Sequence, residues 1–284
     1  MTITLAQLNT KATITWCPGC GNFSILTAFK RALVELQIPR EKVVVITGIG
    51  CHGKFGDYVN VNSFHTIHGR VLPIATGIKL ANKELIVVGF SGDGDAYAIG
   101  LSHIPHAARR NIDVKYVVHN NMIFGLTTGQ VTPTTPKGVK TRSTPYGNPE
   151  EPLNPLALAL VSGATFVARG FAGDVAHLTW LFKEAIKHKG FAFIDVLQPC
   201  YTFYNTYEYF RRRVYKLEDV GHDITDFEEA LKKAYEWNDK IPIGIFYKVR
   251  KPTFEETLPQ LKGEPLALRD ISDVNIEKAY VFLR

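Results

Sequence analysis

The sequence contains no long apolar run, and its first residues do not show the pattern of a secretory signal. Its longest apolar-looking stretch, LNPLALALVSGATFVA, is short and is interrupted by Asn154, Pro155 and Ser162, whereas a membrane-spanning helix needs about 20 apolar residues. The first residues, MTITLAQLNTKATITW, contain no basic start followed by an apolar block, which a secretory signal requires. We therefore expect a cytoplasmic protein without a transmembrane helix.

Low-complexity tracts and nucleic-acid motifs are also missing. Apolar residues make up 45% and charged residues 21% of the 284 residues, the composition of an ordinary folded protein. The net charge is +6, but no zinc-finger, helix-turn-helix or RNA-binding signature accompanies it, so nucleic acid is not an expected partner. A basic surface of this kind can meet an acidic protein or a phosphorylated cofactor, or it can simply be solvated.

Cysteine is scarce, and the chain contains only Cys17, Cys20, Cys51 and Cys200. In a reducing cytoplasm they are not expected to form structural disulfides, which favours ligand or catalytic roles. A four-cysteine zinc site usually contains two Cys-x-x-Cys pairs and this chain has one; a thioredoxin-type pair would follow the first strand of a smaller unit. An iron–sulfur cluster accepts widely separated thiolates. From spacing alone, a cluster, a zinc site and unrelated roles all stay open.

Between residues 43 and 200, β-branched runs alternate with helical patterns. The runs VVVITG, ELIVVGF, VKYVVHN, ATFVAR and FAFIDVLQP predict buried strands, and RVLPIATGIKLANK, AYAIGLSHIPHAARRN and DVAHLTWLFKEAIKHKG predict helices, the last ending near Gly190. This alternation predicts an α/β fold, a parallel sheet with helices on both faces. Ligands of such sheets gather at the carboxyl ends of the strands.

Two segments of the chain lie outside this alternation of strands and helices. Residues 126–155 are rich in Thr, Pro and Gly and show no periodicity, which predicts a long loop with a functional or mobile role. Beyond Cys200, the sequence predicts a helix near DFEEALKKAYEWNDK and a strand at IPIGIFYKV. We interpret residues 1–200 as the main domain, with an N-terminal extension, and residues 201–284 as a C-terminal extension that packs on it and on a partner.

A Gly-Asp-Gly sequence follows the strand ELIVVGF. Glycines allow backbone amides to approach a phosphate, and the carboxylate of Asp93 suits Mg²⁺, although a turn before a helix needs no ligand. Asn121 follows Asp93 by 28 residues, and one βαβ step of that length places both at neighbouring strand ends. The pair resembles the thiamine diphosphate-binding motif. That resemblance implies that Asp93, Asn121 and the backbone carbonyl of Ile123 hold Mg²⁺.

The motifs taken in order resemble those of one family. WCPGCGNF, GIGCHGKF, HGRVLPIATGIKLAN, GDGDAYAIG, RRNIDV, NNMIFGLTTGQVTPTTP and QPC are similar to the β subunit of 2-oxoacid:ferredoxin oxidoreductases of the archaeal two-subunit type. The resemblance implies that the four cysteines bind a single [4Fe-4S] cluster beside thiamine diphosphate. It further implies coenzyme A-dependent oxidative decarboxylation of 2-oxoacids, with electrons leaving through the cluster to ferredoxin.

The resemblance also implies roles for particular residues. Lys54 suits the substrate carboxylate, and Thr128 faces the substrate tail and is compatible with both pyruvate and 2-oxoglutarate. His68 lies near the thiamine by this resemblance, with a structural histidine as the alternative. The remaining residues expected to contact the cofactor are Ile49, Gly50, Cys51, His52, Gly92, Gly94, Asp95, Gly125 and Leu126.

One part of a thiamine enzyme is missing from the chain. A glutamate from a second domain activates the cofactor in such enzymes, and this sequence offers one diphosphate-type domain. We therefore expect an obligate α subunit, which by resemblance also contacts coenzyme A, and no turnover by this chain alone. The alternatives are a subunit of a non-oxidative thiamine-dependent decarboxylase or carboligase, and a four-cysteine zinc scaffold.

Overall fold

Eight strands form one sheet in the computed structural model, which describes residues 3–272 and 277–280. The strand order is β2-β1-β3-β4-β6-β5-β8-β7. The strands are β1 Val43–Thr47, β2 Asn62–His65, β3 Ile86–Gly92, β4 Val114–Asn120, β5 Phe166–Phe171, β6 Ala192–Leu197, β7 Val214–Lys216 and β8 Ile241–Lys248. The first six strands pair in parallel. The predicted parallel α/β sheet is therefore confirmed, with one addition described below.

Helices cover both faces of the sheet. They are α1 Asn22–Glu35, α2 Phe55–Tyr58, α3 Val71–Ala81, α4 His103–Arg110, α5 Pro155–Val161, α6 Val175–Lys187, α7 Tyr207–Arg211, α8 Phe227–Ala234, α9 Phe254–Thr257 and α10 Glu277–Tyr280. Alternate strand residues face opposite layers: Val43 and Val45 pack with α1 and α6. Val44 and Ile46 lie in the layer formed by α3, α4, α5 and α8. Successive side chains of a strand point to opposite faces of the sheet. Each continuously apolar strand therefore contributes to two hydrophobic cores, one on each face.

Most predicted elements are present, with shifted ends. VKYVVHN is β4 from its first residue to its last. The helix predicted over AYAIGLSHIPHAARRN is divided into a π-helical turn, Asp95–Ile99, and α4. Gly190 does not end α6; the helix ends at Lys187 because His188 has extended backbone angles. Strand β2 was not predicted, since its sequence NSFH has no β-branched residue and all four positions are exposed.

The predicted helix and strand after Cys200 are confirmed as α8 and β8. Strand β8 pairs with β5 in the antiparallel direction, which is the addition to the otherwise parallel order, and β7 pairs with β8 in parallel. Ile241, Ile243 and Phe246 are buried there. The chain beyond residue 200 thus contributes two strands to the same sheet; residues 273–276 and 281–284 of the predicted extension lie outside the described part.

Within residues 3–272 and 277–280, no helix combines the length and the apolar character that crossing a membrane demands.

Candidate active site at the carboxyl edge of the sheet

A cavity of about 640 Å³ lies at the carboxyl ends of the neighbouring strands β2, β1, β3, β4 and β6. Its walls come from the turns that follow these strands, where ligands of parallel sheets bind. Thirteen of the residues expected from the sequence to contact cofactor or metal line it: Ile49, Gly50, Cys51, His52, His68, Gly92, Asp93, Gly94, Asp95, Asn121, Ile123, Gly125 and Leu126. The structure therefore brings together residues that are up to 77 positions apart in the chain, as between Ile49 and Leu126.

A second cavity of about 270 Å³ adjoins the first. All four cysteines line it, together with Lys54 and Thr128. The two cavities share lining residues, namely Cys51, Asn121, Gly125, Leu126 and Gln198. We call them the larger cavity and the cysteine cavity.

Glycines allow the walls of the larger cavity to pack closely. A Cβ atom on Gly94 would lie 2.2 Å from Cε1 of Phe124, and one on Gly92 would lie 2.7 Å from Nδ1 of His52. Real Cβ atoms do not approach other atoms so closely, so both positions require glycine. This requirement gives the Gly-Asp-Gly sequence a structural reason beyond any ligand.

The carboxylate of Asp95 joins three turns beneath the larger cavity. Its Oδ1 accepts hydrogen bonds from the backbone N–H of Gly69 and from Nδ1 of His68, both at 2.7 Å, and from the N–H of Ile49 at 3.3 Å. Burial raises its pKa, but contact with His52 and the Gly69 bond outweigh burial and lower the pKa to about 2. In the structure, Asp95 therefore positions its neighbours, including His68, as a negatively charged acceptor.

Asp93 is a buried carboxylate without a counter-cation. It is 2% exposed, and Oδ2 accepts a hydrogen bond of 2.8 Å from the Thr134 hydroxyl. No Lys, Arg or His side chain within residues 3–272 and 277–280 forms an ion pair with it. Burial raises its pKa to about 6. A divalent cation at this place would offset that burial, so the donor set fits Mg²⁺.

Asn121 and Ile123 line the larger cavity together with Asp93. The side-chain oxygen of Asn121 accepts a 3.0 Å hydrogen bond from the backbone N–H of Ile123, and its Nδ2 donates to Oε1 of Gln198 at 3.1 Å. The amide of Asn121 is therefore held in a fixed orientation, with its oxygen on the side of the Ile123 backbone.

The four thiols are free and lie close together. A Cβ atom on Gly125 would lie 3.6 Å from Sγ of Cys51 and 3.7 Å from Sγ of Cys200. Burial, with repulsion between the thiolates, raises the pKa of Cys20 to about 12 and that of Cys51 to about 11. Buried thiols with raised pKa values ionise when bound to positively charged iron, so the set fits an iron–sulfur cluster.

A site for a single metal ion differs in geometry from a site for an iron–sulfur cluster. In the described part of the chain, no three His, Cys, Asp or Glu side chains are placed around one ion. A tetrahedral zinc site requires four ligands at bonding distance from one point, whereas the ligands of a cubane cluster surround a larger body. A zinc ion and a cluster therefore require different separations of the four cysteine sulfur atoms.

Lys54 and Thr128 lie in the cysteine cavity and not in the larger one. Lys54 is exposed and pairs with Asp57 at 3.1 Å. Thr128 has φ of 73°, a backbone conformation that is rare for a β-branched residue, and its hydroxyl accepts a hydrogen bond from Nη1 of Arg142. A positive side chain therefore stands beside the position expected to face the substrate.

Several residues of the site were not predicted. Gln198 lines both cavities, donates to Sγ of Cys20 at 3.4 Å and accepts from Asn121, so it connects the two. His119 is the penultimate residue of β4 and lines the larger cavity, and its Nε2 has no hydrogen-bond partner among the described residues. The signal for both was available, since Gln198 directly precedes Pro199-Cys200 and His119 directly precedes Asn120-Asn121.

Comparison with known proteins identifies relatives along most of the chain. Residues 48–196 match the family described as thiamine pyrophosphate enzyme, C-terminal TPP binding domain, and residues 199–263 match the family described as the C terminal part of the pyruvate ferredoxin oxidoreductase beta subunit. The chain is 51% identical to the 2-oxoacid:ferredoxin oxidoreductase subunit beta of Saccharolobus solfataricus, over 93% of this chain and 96% of the relative. It is 46% identical to subunit beta of 2-oxoacid:ferredoxin oxidoreductase 1 of Aeropyrum pernix, over 94% and 90%.

A solved structure agrees along nearly the whole chain. It is described as 2-oxoglutarate:ferredoxin oxidoreductase from Magnetococcus marinus with 2-oxoglutarate, coenzyme A and succinyl-CoA bound. The TM-score is 0.91 at 37% identity, and the match covers 99% of this chain and 96% of the other.

Proposed function

The chain belongs to the 2-oxoacid:ferredoxin oxidoreductases as a β subunit, and from this premise we propose the reaction in which it takes part. The enzyme converts 2-oxoacids such as pyruvate and 2-oxoglutarate, with coenzyme A, to acyl-CoA and CO2. The electrons leave through one [4Fe-4S] cluster to ferredoxin. The observation that carries the proposal is the adjacency of the two cavities, one lined by the Gly-Asp-Gly turn and the other by all four cysteines.

The larger cavity is proposed to hold thiamine diphosphate with Mg²⁺. When bound, thiamine diphosphate supplies the nucleophile that attacks the keto carbon and the electron sink after decarboxylation. The chain's part is to bind and orient it. Asp93, Asn121 and the carbonyl of Ile123 would hold Mg²⁺, and the glycine turns would present backbone groups to the diphosphate. Asp95 fixes His68 beside them.

The cysteine cavity is proposed to hold the cluster through Cys17, Cys20, Cys51 and Cys200. Because Cys51 and Gln198 also line the larger cavity, the two cofactors would lie side by side. Short separation favours transfer of single electrons between them. Cys17 is exposed, which suits an exit toward an external electron carrier.

Substrate selection is proposed to involve Lys54 and Thr128, with Arg142 as a further cation next to Thr128. An obligate α subunit would complete the site by supplying the activating glutamate and contacts to coenzyme A. We also propose a cytoplasmic location, since the chemistry needs reduced cysteines.

The decisive experiment compares the chain with and without the α subunit. After anaerobic purification we expect a brown protein with about four iron and four sulfide per chain. Reduction of ferredoxin should require a 2-oxoacid, coenzyme A and both subunits. A colourless protein with one zinc would instead support the scaffold alternative. Decarboxylation without electron transfer would support the non-oxidative one, and 2-oxoacid-dependent dye reduction by the pure chain would overturn the requirement for α.

A further inference from the structure

A third cavity lies behind the larger one. It has a volume of about 200 Å³ and shares no lining residue with the larger cavity. The end of β4 and the turn after it separate the two, because Asn121 and Ile123 line the larger cavity while Asn120 and Met122 line the third. Its lining also includes Leu153, Arg169, Asp195 and Trp237.

The third cavity contains a buried arginine with few partners. Arg169 of β5 is 1% exposed, and its only hydrogen bond among the described residues runs from Nη1 to the carbonyl of Pro242 at 3.5 Å. Its Nε is buried without an acceptor in the same residues. A guanidinium has five N–H donors, and leaving buried donors unsatisfied is costly.

Nearby groups compensate the charge of Arg169 only in part. Oδ2 of Asp195, its register partner on β6, is 3.9 Å from Nε, beyond hydrogen-bond distance. Oδ1 of Asp195 already accepts from the Tyr97 hydroxyl at 2.7 Å and from Nδ2 of Asn120 at 3.1 Å. The ring centroid of Trp237 lies 4.8 Å from Cζ of Arg169. Burial lowers the pKa of Arg169 to about 10, so it stays charged at neutral pH.

We propose that this third cavity binds a short-chain monocarboxylate, with its carboxylate on Arg169 and its alkyl part against Met122, Leu153 and Trp237. A planar carboxylate matches the paired donors of a guanidinium. The buried carboxylate of Asp195 repels further negative charge, so a singly charged ligand is favoured over a doubly charged phosphate. The volume is equivalent to roughly seven water molecules at about 30 Å³ each, which limits the ligand to a few carbon atoms. The site is separate from the one proposed for the 2-oxoacid.

The test uses propionate as the probe and the purified complex that contains this chain. Calorimetric titration at constant ionic strength should show saturable binding of propionate and at least tenfold weaker binding of the uncharged isostere propionamide. A crystal structure with propionate should place its carboxylate within hydrogen-bond distance of Arg169. Equal binding of both probes, no saturable binding, or water alone in the cavity would overturn the proposal.

Variants separate this site from the substrate site. Arg169→Met should weaken propionate binding at least tenfold, and Leu153→Trp should do so by filling the cavity without touching the arginine. Arg213→Met is the matched control, since Arg213 also lies over an aromatic ring, that of Tyr209 at 4.1 Å, but does not line the third cavity. If Arg169→Met fails to fold, Leu153→Trp and the crystal structure decide. Unchanged affinity in a folded Leu153→Trp complex would refute the assignment.

Discussion

The side-chain oxygen of Gln198 accepts a 3.1 Å hydrogen bond from Nδ2 of Asn121. The amide nitrogen of the same glutamine donates to Sγ of Cys20 at 3.4 Å. One side chain thus contacts a residue proposed to bind Mg²⁺ and a residue proposed to bind the cluster. Gln198 therefore links the two proposed cofactor sites through hydrogen bonds of one side chain.

Replacing Gln198 with Leu should shift the cluster potential to more negative values. Hydrogen bonds to cysteine sulfur stabilise the reduced, more negative cluster, so losing one disfavours reduction. A redox titration followed by electron paramagnetic resonance measures the shift. Gln130→Leu is the control, because Gln130 lines the larger cavity but bonds to Thr127 and not to a cysteine. Identical potentials in Gln198→Leu and the unmodified protein would show that the contact has no electronic role.

Replacing Asp95 with Asn should destabilise the chain by about 1–3 kcal/mol, the usual cost when buried donors lose an acceptor. The Asn side chain keeps one oxygen but presents an N–H toward His52, 3.5 Å from Oδ2. Urea denaturation measures the loss. Asp57→Asn is the control, since Asp57 is exposed and its ion pair with Lys54 lies at the surface, and it should change stability by well under about 1 kcal/mol.

The low pKa of Asp95 also predicts how the stability of the folded chain depends on pH. Its folded pKa of about 2 lies below the unfolded value of 3.8, so its contribution to stability is complete above that value. The contribution is lost as pH falls from about 4 to about 2. Asp95→Asn should accordingly show a smaller loss of stability with acidification across that window than the unmodified chain shows.

Replacing Asp93 with Asn should have the opposite effect on the metal-free chain. Burial raises the folded pKa of Asp93 from 3.8 to about 6. The folded state therefore binds more protons between those values, and its stability falls as pH rises through them. At pH 7 the variant should be more stable by about 1–3 kcal/mol.

Added Mg²⁺ with thiamine diphosphate should make the unmodified chain more stable than Asp93→Asn. Thermal unfolding should show stabilisation of the unmodified chain and much less of Asp93→Asn, because a neutral amide replaces the charged ligand for the cation. Equal stabilisation of both proteins by Mg²⁺ and thiamine diphosphate would contradict the assignment of Asp93 as a metal ligand.

The grouping of the larger cavity's residues at one edge of the sheet could be predicted because strand ends are readable from sequence. Gly92 to Asp95 and Asn121 follow apolar runs, and the rule for parallel sheets places such residues at one edge. Thr134 and Arg142 were missed because they lie in a loop without periodicity, where only tertiary contacts fix the side chains. Arg169 was missed for another reason: it ends the run ATFVAR, and the apolar residues before it indicated only a buried strand.

Replacing Cys200 with Ser should remove the cluster without removing thiamine diphosphate. Cys200 lines the cysteine cavity alone, whereas Cys51 lines both cavities. Cys200→Ser should therefore lose iron and visible absorption while Mg²⁺-dependent retention of thiamine diphosphate persists, and Cys51→Ser should impair both. Metal analysis and cofactor content measure the outcome. Loss of both cofactors from Cys200→Ser would mean that the two sites do not form independently.

Replacing Arg142 with Met should change the choice of substrate. Nη1 of Arg142 donates to the Thr128 hydroxyl, and the side chain is exposed, so its charge is available to the second carboxylate of a dicarboxylic 2-oxoacid and has no partner on pyruvate. We expect kcat/KM for 2-oxoglutarate to fall about tenfold relative to pyruvate, the size of one charge-assisted hydrogen bond of roughly 1.5 kcal/mol. Lys140→Met, at an exposed position of the same loop, should leave the ratio unchanged. An equal decrease in kcat/KM for both acids would show that Arg142 only maintains the conformation of the loop, since a change in loop conformation does not discriminate between the two substrates.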